Sequence, residues 1–331
     1  MNLKDKIKLL ETGLVDLFPG LVTQIMKTGT ISAGLDTVTG LHVFVSHRNS
    51  HLIKSDYSYE KKLVHFTSGL SLQSILQERS LRLYNLYNLN DPREFEYASK
   101  VLELDEATAI HAKENLFVLS CCEPTIFENV THEFNMWRLY GHNGRGIGIE
   151  FSIYNRPEDW MDFHLSRVFY GDQQIDKFKE IPELISNSSL DLSKVTIDLS
   201  KLIPFHKSTL FSLEHEVRLI SDRMAKYPGT SSQIWFDLNE DAFPEMKSDI
   251  HKIVERKDNV QFLTIPIYKY RRRNYDSKIP VIKIEKIIIG YNYLADELNN
   301  IQNCIAGLCR DHIGYVPEIS FTSLRNQYFG I

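Results

Sequence analysis

The sequence predicts an α+β fold, and three observations lead there. Short apolar runs such as "NLFVLSC" (115–121) have the length of buried strands rather than of helices. Helical stripes lie between such runs at irregular intervals, without the steady rhythm of a doubly wound sheet. No segment repeats.

The composition agrees. The chain has 331 residues, 43% of them hydrophobic and 24% charged, which is ordinary for a globular protein. That length suits one large domain or two smaller ones. A net charge of -5 offers no global attraction to nucleic acid or anionic lipid. No apolar run approaches the roughly 20 residues that cross a bilayer. The N-terminus lacks the unbroken apolar core of a secretory signal. Cys121, Cys122, Cys304 and Cys309 form neither a disulfide framework nor a CxxC knuckle. The expectation is a reduced, cytoplasmic protein with no membrane partner.

Taken in order, Leu3, Ile7, Leu10, Leu14 and Leu17 recur at helical spacing until Pro19-Gly20 breaks the pattern. "LHVFVS", after Gly40, alternates as a strand. Residues 1–58 therefore read as an accessory segment of a helix plus strands, with "YSYEKK" as a polar joint. The main α+β domain is 59–331. "KLVHFTS" is a strand, and Thr67 or Ser68 caps a helix whose stripe is Leu72, Ile75 and Leu76. "LRLYNL" is a strand. In "NLNDPREFEYASKVLEL", Asn90 and Asp91 shape a turn, Pro92 suits a first helical turn, and Glu94 follows on that turn. Arg138 or Arg145 is the expected partner of these acids.

"NMWRLYG" is a short helix ending at Gly141, "GRGIGIEFSI" passes from a loop into a strand, and "SRVFYG" is a further strand candidate. Flanking helices and helical insertions are expected, the first a Ser-punctuated helical stretch near 172–204 and the second near 222–260, rich in turn and charge signals. "SLEHEVRLI" (212–220) reads as a strand between them. "NVQFLTIPIYKY", "KIPVIKI" and "IEKIIIG" are strand-like, and a helix around "DELNNIQNCIAGL" precedes a last short strand.

Several motifs fail on inspection. The glycines at 141, 144, 146 and 148 run into a strand, whereas a dinucleotide fingerprint opens a helix. They read as a turn and a close backbone approach. "THEFNMW" begins like a zinc-protease helix, but Met136 stands where the second histidine belongs, so no metal is expected. "YKYRRRNYDSK" places Lys269, Arg271, Arg272, Arg273 and Lys278 among Tyr268, Tyr270 and Tyr275. Basic groups with stacking aromatics grip single-stranded nucleic acid, and a solvated turn has the same composition.

His65 falls where a strand runs into a helix start, a place where ligands collect around free N–H groups. A half-buried histidine bonded to backbone fits the same position. In "SLEHEVRLI", strand alternation puts Glu214, Glu216 and Arg218 on one face. The two carboxylates are then ~6.6 Å apart along the strand, close enough to raise one pKa unless Arg218 offsets it. A solvated face with cross-strand ion pairs and a cleft that holds sugar hydroxyls or a developing cation both remain open.

The order of the pieces carries a resemblance. "HFTS", a helix ending in "LRL", "NLNDPRE", "LSC", "MWRLYGHNGRGIGIEF", "HEVRLI" and "KIIIG" resemble, over residues 60–292, a bacterial domain-of-unknown-function family numbered 2971. That family has a tryptophan where this chain has Val217. It is similar in turn, more distantly, to the ADP-ribosyltransferase fold, a split pair of sheets that clamps NAD. The resemblance implies a split-sheet core and NAD as substrate. It assigns catalytic positions to His65, Glu216 and Glu214, with Arg218 and the 90–91 turn beside them. The aromatic that holds nicotinamide is open among Tyr84, Tyr87, Trp137 and Tyr140. It further implies a toxin or defence effector acting on a protein or nucleic acid. The alternative is a catalytically silent module that binds nucleic acid or nucleotide through Lys269, Tyr270, Arg271, Arg272, Arg273 and Lys278.

Overall fold

The computed structural model describes residues 2–17, 21–32, 35–47, 62–88, 91–153, 160, 163–171, 175–222, 260–267 and 280–329. Most of the second insertion, the entire basic run from Tyr268 to Lys278, and Asn90 lie outside these residues. The N-terminal segment is a helix, α1 (Leu3–Leu17), and a hairpin of β1 (Leu21–Ser32) and β2 (Leu35–His47). Next come β3 (Leu63–Thr67), α2 (Gly69–Glu78) and β4 (Ser80–Asn85). Of the two candidates, Ser68 caps α2 by accepting from the Ser71 N–H, and Leu72, Ile75 and Leu76 are buried as the stripe requires.

The chain continues through α3 (Pro92–Val101), α4 (Glu106–Asn115), β5 (Leu116–Cys122), α5 (Val130–Leu139) and β6 (Ile147–Ile153). β7 (Phe163–Arg167), β8 (Phe169–Tyr170), α6 (Ile175–Phe178), α7 (Ile181–Asn187), β9 (Val195–Asp198) and β10 (His206–Lys207) follow. The last elements are β11 (Glu216–Asp222), β12 (Phe262–Pro266), β13 (Ile282–Ile289), α8 (Leu298–His312), β14 (Glu318–Phe321) and α9 (Leu324–Phe329). "KIPVIKI" and "IEKIIIG" are one strand, β13, with a register irregularity between Ile284 and Lys286.

The fold is α+β, built on a mixed sheet that branches. β11 pairs with β5 along its whole length, from Glu216 opposite Cys122 to Asp222 opposite Leu116. A strand has two hydrogen-bonding edges, so every other neighbour of β5 shares the remaining one. β4 takes that edge at Phe117 and Val118, whereas β3 takes it at Cys122 alone. One branch then runs β4–β12, and the other β3–β6–β13–β14. Between the branches, Leu119 to Cys121 face a fork.

Alternation along the strands sorts the core. Phe117, Leu119 and Cys121 of β5, with Val217 and Leu219 of β11, join a cluster closed by Leu72, Leu76, Ile305 and Cys309 from α2 and α8. On the other face two separate clusters form. Leu116, Val118 and Ile220 pack under Phe95 and Ala98 of α3, and Val64, Phe66 and Cys122 pack under Met136 and Trp137 of α5. The seam between α3 and α5 on this face is where polar side chains gather.

The N-terminal segment packs onto the first insertion. β2 pairs in parallel with β9, and Leu10 and Leu14 of α1 pack with Ile181, Ile185 and Phe205 in the cluster that includes α3. The glycine-rich turn after α5 is a close approach, as its sequence suggests. A Cβ on Gly146 would stand 2.6 Å from the Gly141 carbonyl and from the Thr67 carbonyl oxygen. Both obstacles are backbone and cannot swing aside.

Gly146→Ala therefore overpacks a rigid turn and should cost about 1–3 kcal/mol. Gly307→Ala, in α8, meets nothing within 4 Å and should stabilise by about 0.5–1 kcal/mol. Urea unfolding of both variants checks the contrast.

Candidate functional site

A cavity of about 260 Å³ opens at the fork, lined by Val64, His65 and Phe66 of β3 and by Ser120, Cys121 and Cys122 of β5. The fork explains its position. β3 and β5 separate after one backbone pair, so their facing edges beyond it form no ladder with each other. The His65 ring partly replaces the missing ladder, with Nδ1 3.0 Å from the Ser120 carbonyl oxygen. A carbonyl only accepts, so Nδ1 carries the proton and Nε2 is left as an acceptor. Burial lowers the His65 pKa, and the Ser120 bond only partly opposes this. His65 is therefore neutral at neutral pH.

The same cavity is also lined by a buried charge cluster. Arg218 donates from Nε to Glu216 at 2.6 Å, from Nη2 to Glu94 at 2.7 Å and from Nη1 to the Pro204 carbonyl at 2.6 Å. Lys207 lies 2.9 Å from Glu94, 2.7 Å from Glu214 and 2.7 Å from Glu216. The Tyr140 hydroxyl donates to the second oxygen of Glu214 at 2.5 Å. The Glu216 N–H donates to the Tyr170 hydroxyl at 3.0 Å. Lys207 is 2%, Arg218 3% and Glu216 6% exposed. Ions buried this deeply persist only when paired.

Local structure delivers each group. Asp91 caps α3 and Pro92 opens it, which places Glu94 on the first turn, over the sheet. Lys207 is held by the two-residue parallel pair of β10 with β8. Glu214 is not on a strand, contrary to the expectation for "SLEHEVRLI". Thr209–Glu214 is a 3₁₀ turn, and His215 takes a left-handed conformation (φ 45°, ψ 45°) before β11 begins at Glu216. The turn swings Glu214 back toward the cavity, so the two acids converge on Lys207 instead of lying in a row.

Three carboxylates face two cations, leaving one excess negative charge on this wall. Burial by itself would raise the Glu216 pKa, but the Arg218 and Lys207 charges outweigh it and bring it down to about 2. Burial, reinforced by Glu214, pushes the Tyr140 hydroxyl well above its ordinary value, so it stays a donor. Burial likewise raises the Cys121 and Cys122 thiols, which stay protonated.

His65, Asp91, Tyr140, Glu214, Glu216 and Arg218 thus line one cavity. The other aromatic candidates do not. Trp137 is fully buried and donates to Glu133. Tyr84 packs edge-on against Phe262, and Tyr87 is exposed beside Lys113. Arg145 pairs with Glu297 rather than with the 91–94 acids, and Arg138 is exposed. The partners of Glu94 are Lys207 and Arg218, because these face it across the seam. Asn90 and the nucleic-acid candidates Lys269, Tyr270, Arg271, Arg272, Arg273 and Lys278 lie outside the described residues. Lys207 and Phe211 carried no sequence signal. "FHKS" is unremarkable until the fold places three acids around its lysine. Among the described residues no cluster of histidine, cysteine and acid side chains is suited to a metal ion, and no helix is long and apolar enough to cross a membrane.

Residues 136–219 match a family described as a protein of unknown function (DUF2971). The match is narrower than the resemblance drawn over 60–292. It includes Tyr140, Lys207, Glu214, Glu216 and Arg218 and leaves out His65 and Glu94. No curated protein and no solved structure matches the chain.

The ion pairs carry a stability consequence. Glu216→Gln strands Arg218 and Lys207 partly unpaired, which typically costs about 3–5 kcal/mol. Because the folded Glu216 pKa is depressed, its contribution is fully present above about pH 4.5 and is lost as pH falls toward about 2. Urea midpoints between pH 5 and 3 should fall for the wild type by more than for Glu216→Gln, which starts lower and follows a flatter course.

Proposed function

We propose that this protein is an NAD-consuming glycosyl transferase of the ADP-ribosyltransferase kind, which moves ADP-ribose to a protein or nucleic-acid acceptor. One observation carries the reading: a single cavity is lined both by a buried cluster with one excess negative charge and by a neutral histidine with a bare acceptor nitrogen. Cleavage of the nicotinamide–ribose bond builds positive charge on the ribose while nicotinamide leaves as a neutral molecule. A fixed negative wall stabilises that change more than it stabilises the starting state.

The volume of about 260 Å³ is below the ~300–1,000 Å³ of most ligand sites. It suits the nicotinamide–ribose end, with the remainder of the dinucleotide outside. Tyr140, Phe66 and Phe211 supply ring surface. His65 Nε2 accepts from a ribose hydroxyl.

The two acids divide the work. Glu216 already accepts from Arg218 Nε, Arg218 Nη2 and Lys207. Among the described residues, Glu214 accepts only from Tyr140 and Lys207. Glu214 retains more capacity to accept from a ribose hydroxyl, and Glu216 anchors the cations around it. The acceptor attacks the ribose carbon, releases its proton and completes the transfer.

Purified protein incubated with NAD should release nicotinamide, detected chromatographically, with or without added acceptor. Glu214→Gln keeps the shape and should lower turnover by about 10²–10³, with its urea midpoint less changed than that of Glu216→Gln. Absence of NAD binding and of nicotinamide release across acceptor preparations would sink the proposal.

A further inference from the structure

Lys207 is the one described residue whose charge reaches all three acids of the wall: Glu94 on α3, Glu214 on the 3₁₀ turn and Glu216 on β11. Arg218 reaches only Glu94 and Glu216. The Lys207 ammonium lies 5.0 Å from the Phe211 ring centroid, and the lysine is 2% exposed. We infer that Lys207 is the positioning residue of this site. It gathers acids from three elements onto one wall and limits their excess charge to one, so that Glu214 meets a ligand paired and aimed. The inference deepens the proposed NAD reading in naming what holds the reacting acid, but its geometry stands without it.

The charge count makes the role specific. Without the ammonium, three carboxylates share Arg218 alone. Glu94 and Glu216 keep their guanidinium bonds, whereas Glu214 keeps only the Tyr140 hydroxyl. The other titratable groups at the cavity are neutral His65, the protonated Cys121 and Cys122, and Asp91 at the start of α3. None of them supplies a replacement cation. Two like charges in one low-dielectric wall push one acid toward the protonated form. Glu214 is the acid left without a cation. A filler that merely packs beneath Phe211 would have no such effect.

The experiment follows the glutamate carboxyls of ¹³C-labelled full-length protein by NMR from pH 7 to 3, with no NAD present. In Lys207→Met one cluster carboxyl should titrate at least one pH unit higher than in the wild type. In Lys207→Met/Glu94→Gln, which removes one charge of each sign, the midpoint should return toward the wild-type value. If wild-type nicotinamide release is measurable, its acid limb should move up and return in parallel. If Lys207→Met does not fold, a folded double variant with wild-type titration supports the role. Unchanged midpoints in folded Lys207→Met overturn it, as does a double variant that restores neither midpoint nor fold. A wild type inert toward NAD whose carboxyls titrate as expected defeats the NAD reading alone.

Discussion

The charge cluster of Glu94, Lys207, Glu214, Glu216 and Arg218 is the constraint around which this molecule is arranged. Each ion is too buried to be left without a partner, and the five come from four elements, with only Glu216 and Arg218 sharing one. Arg218 and Glu216 pair within β11, but α3, the 3₁₀ turn, β10 and β11 must all be in place before every one of these charges has its full set of partners. Such clusters contribute less to net stability than their short distances suggest, because desolvation offsets much of the attraction. Their effect is conditional: a partly assembled wall is costly, so the elements assemble together. The Pro204 carbonyl, bonded to Arg218, extends the same condition to the first insertion.

The fork gives the cluster something to face. Had β3 paired with β5 along its length, the edge at Ser120 would have been consumed by a ladder, leaving no opening between the branches. Instead the strands part after Val64 and Cys122, and His65 takes one stranded carbonyl with a side-chain bond. On this face the apolar clusters under α3 and α5 are separate, and the polar wall fills the seam between them. The site is thus a gap in two systems at once, the hydrogen-bonded sheet and the apolar core.

The site also changes what the outlying segments mean. Residues 172–204 read as an interruption of the domain, yet their end leads directly into Lys207 and contributes the Pro204 carbonyl. The N-terminal helix and hairpin pack against that insertion through β9 and the Leu10–Leu14 stripe. Support for Lys207 therefore runs back to residues that look accessory in the linear chain.

By itself the sequence determined the α+β class, most strands and helices of the main domain, a helix cap at Thr67 or Ser68, Glu94 on the first turn of a helix opened by Pro92, and the close approach in the glycine turn. It also put Glu216 and Arg218 on one strand face. Periodicity, capping and backbone crowding act within a few residues, so they are legible locally. Tertiary structure alone decided the rest. Glu214 left the strand because His215, which carries no glycine or asparagine signal, adopts a left-handed turn. Tyr140, just past the end of α5, lines the cavity while Trp137 on that helix is buried, because the neighbours of α5 determine which face is covered. Glu94 and Arg218 meet across 124 positions of chain, and Lys207 becomes central only when three remote acids close around it. A buried charge is defined by its partners, and partners that distant leave no trace in the spacing of a sequence.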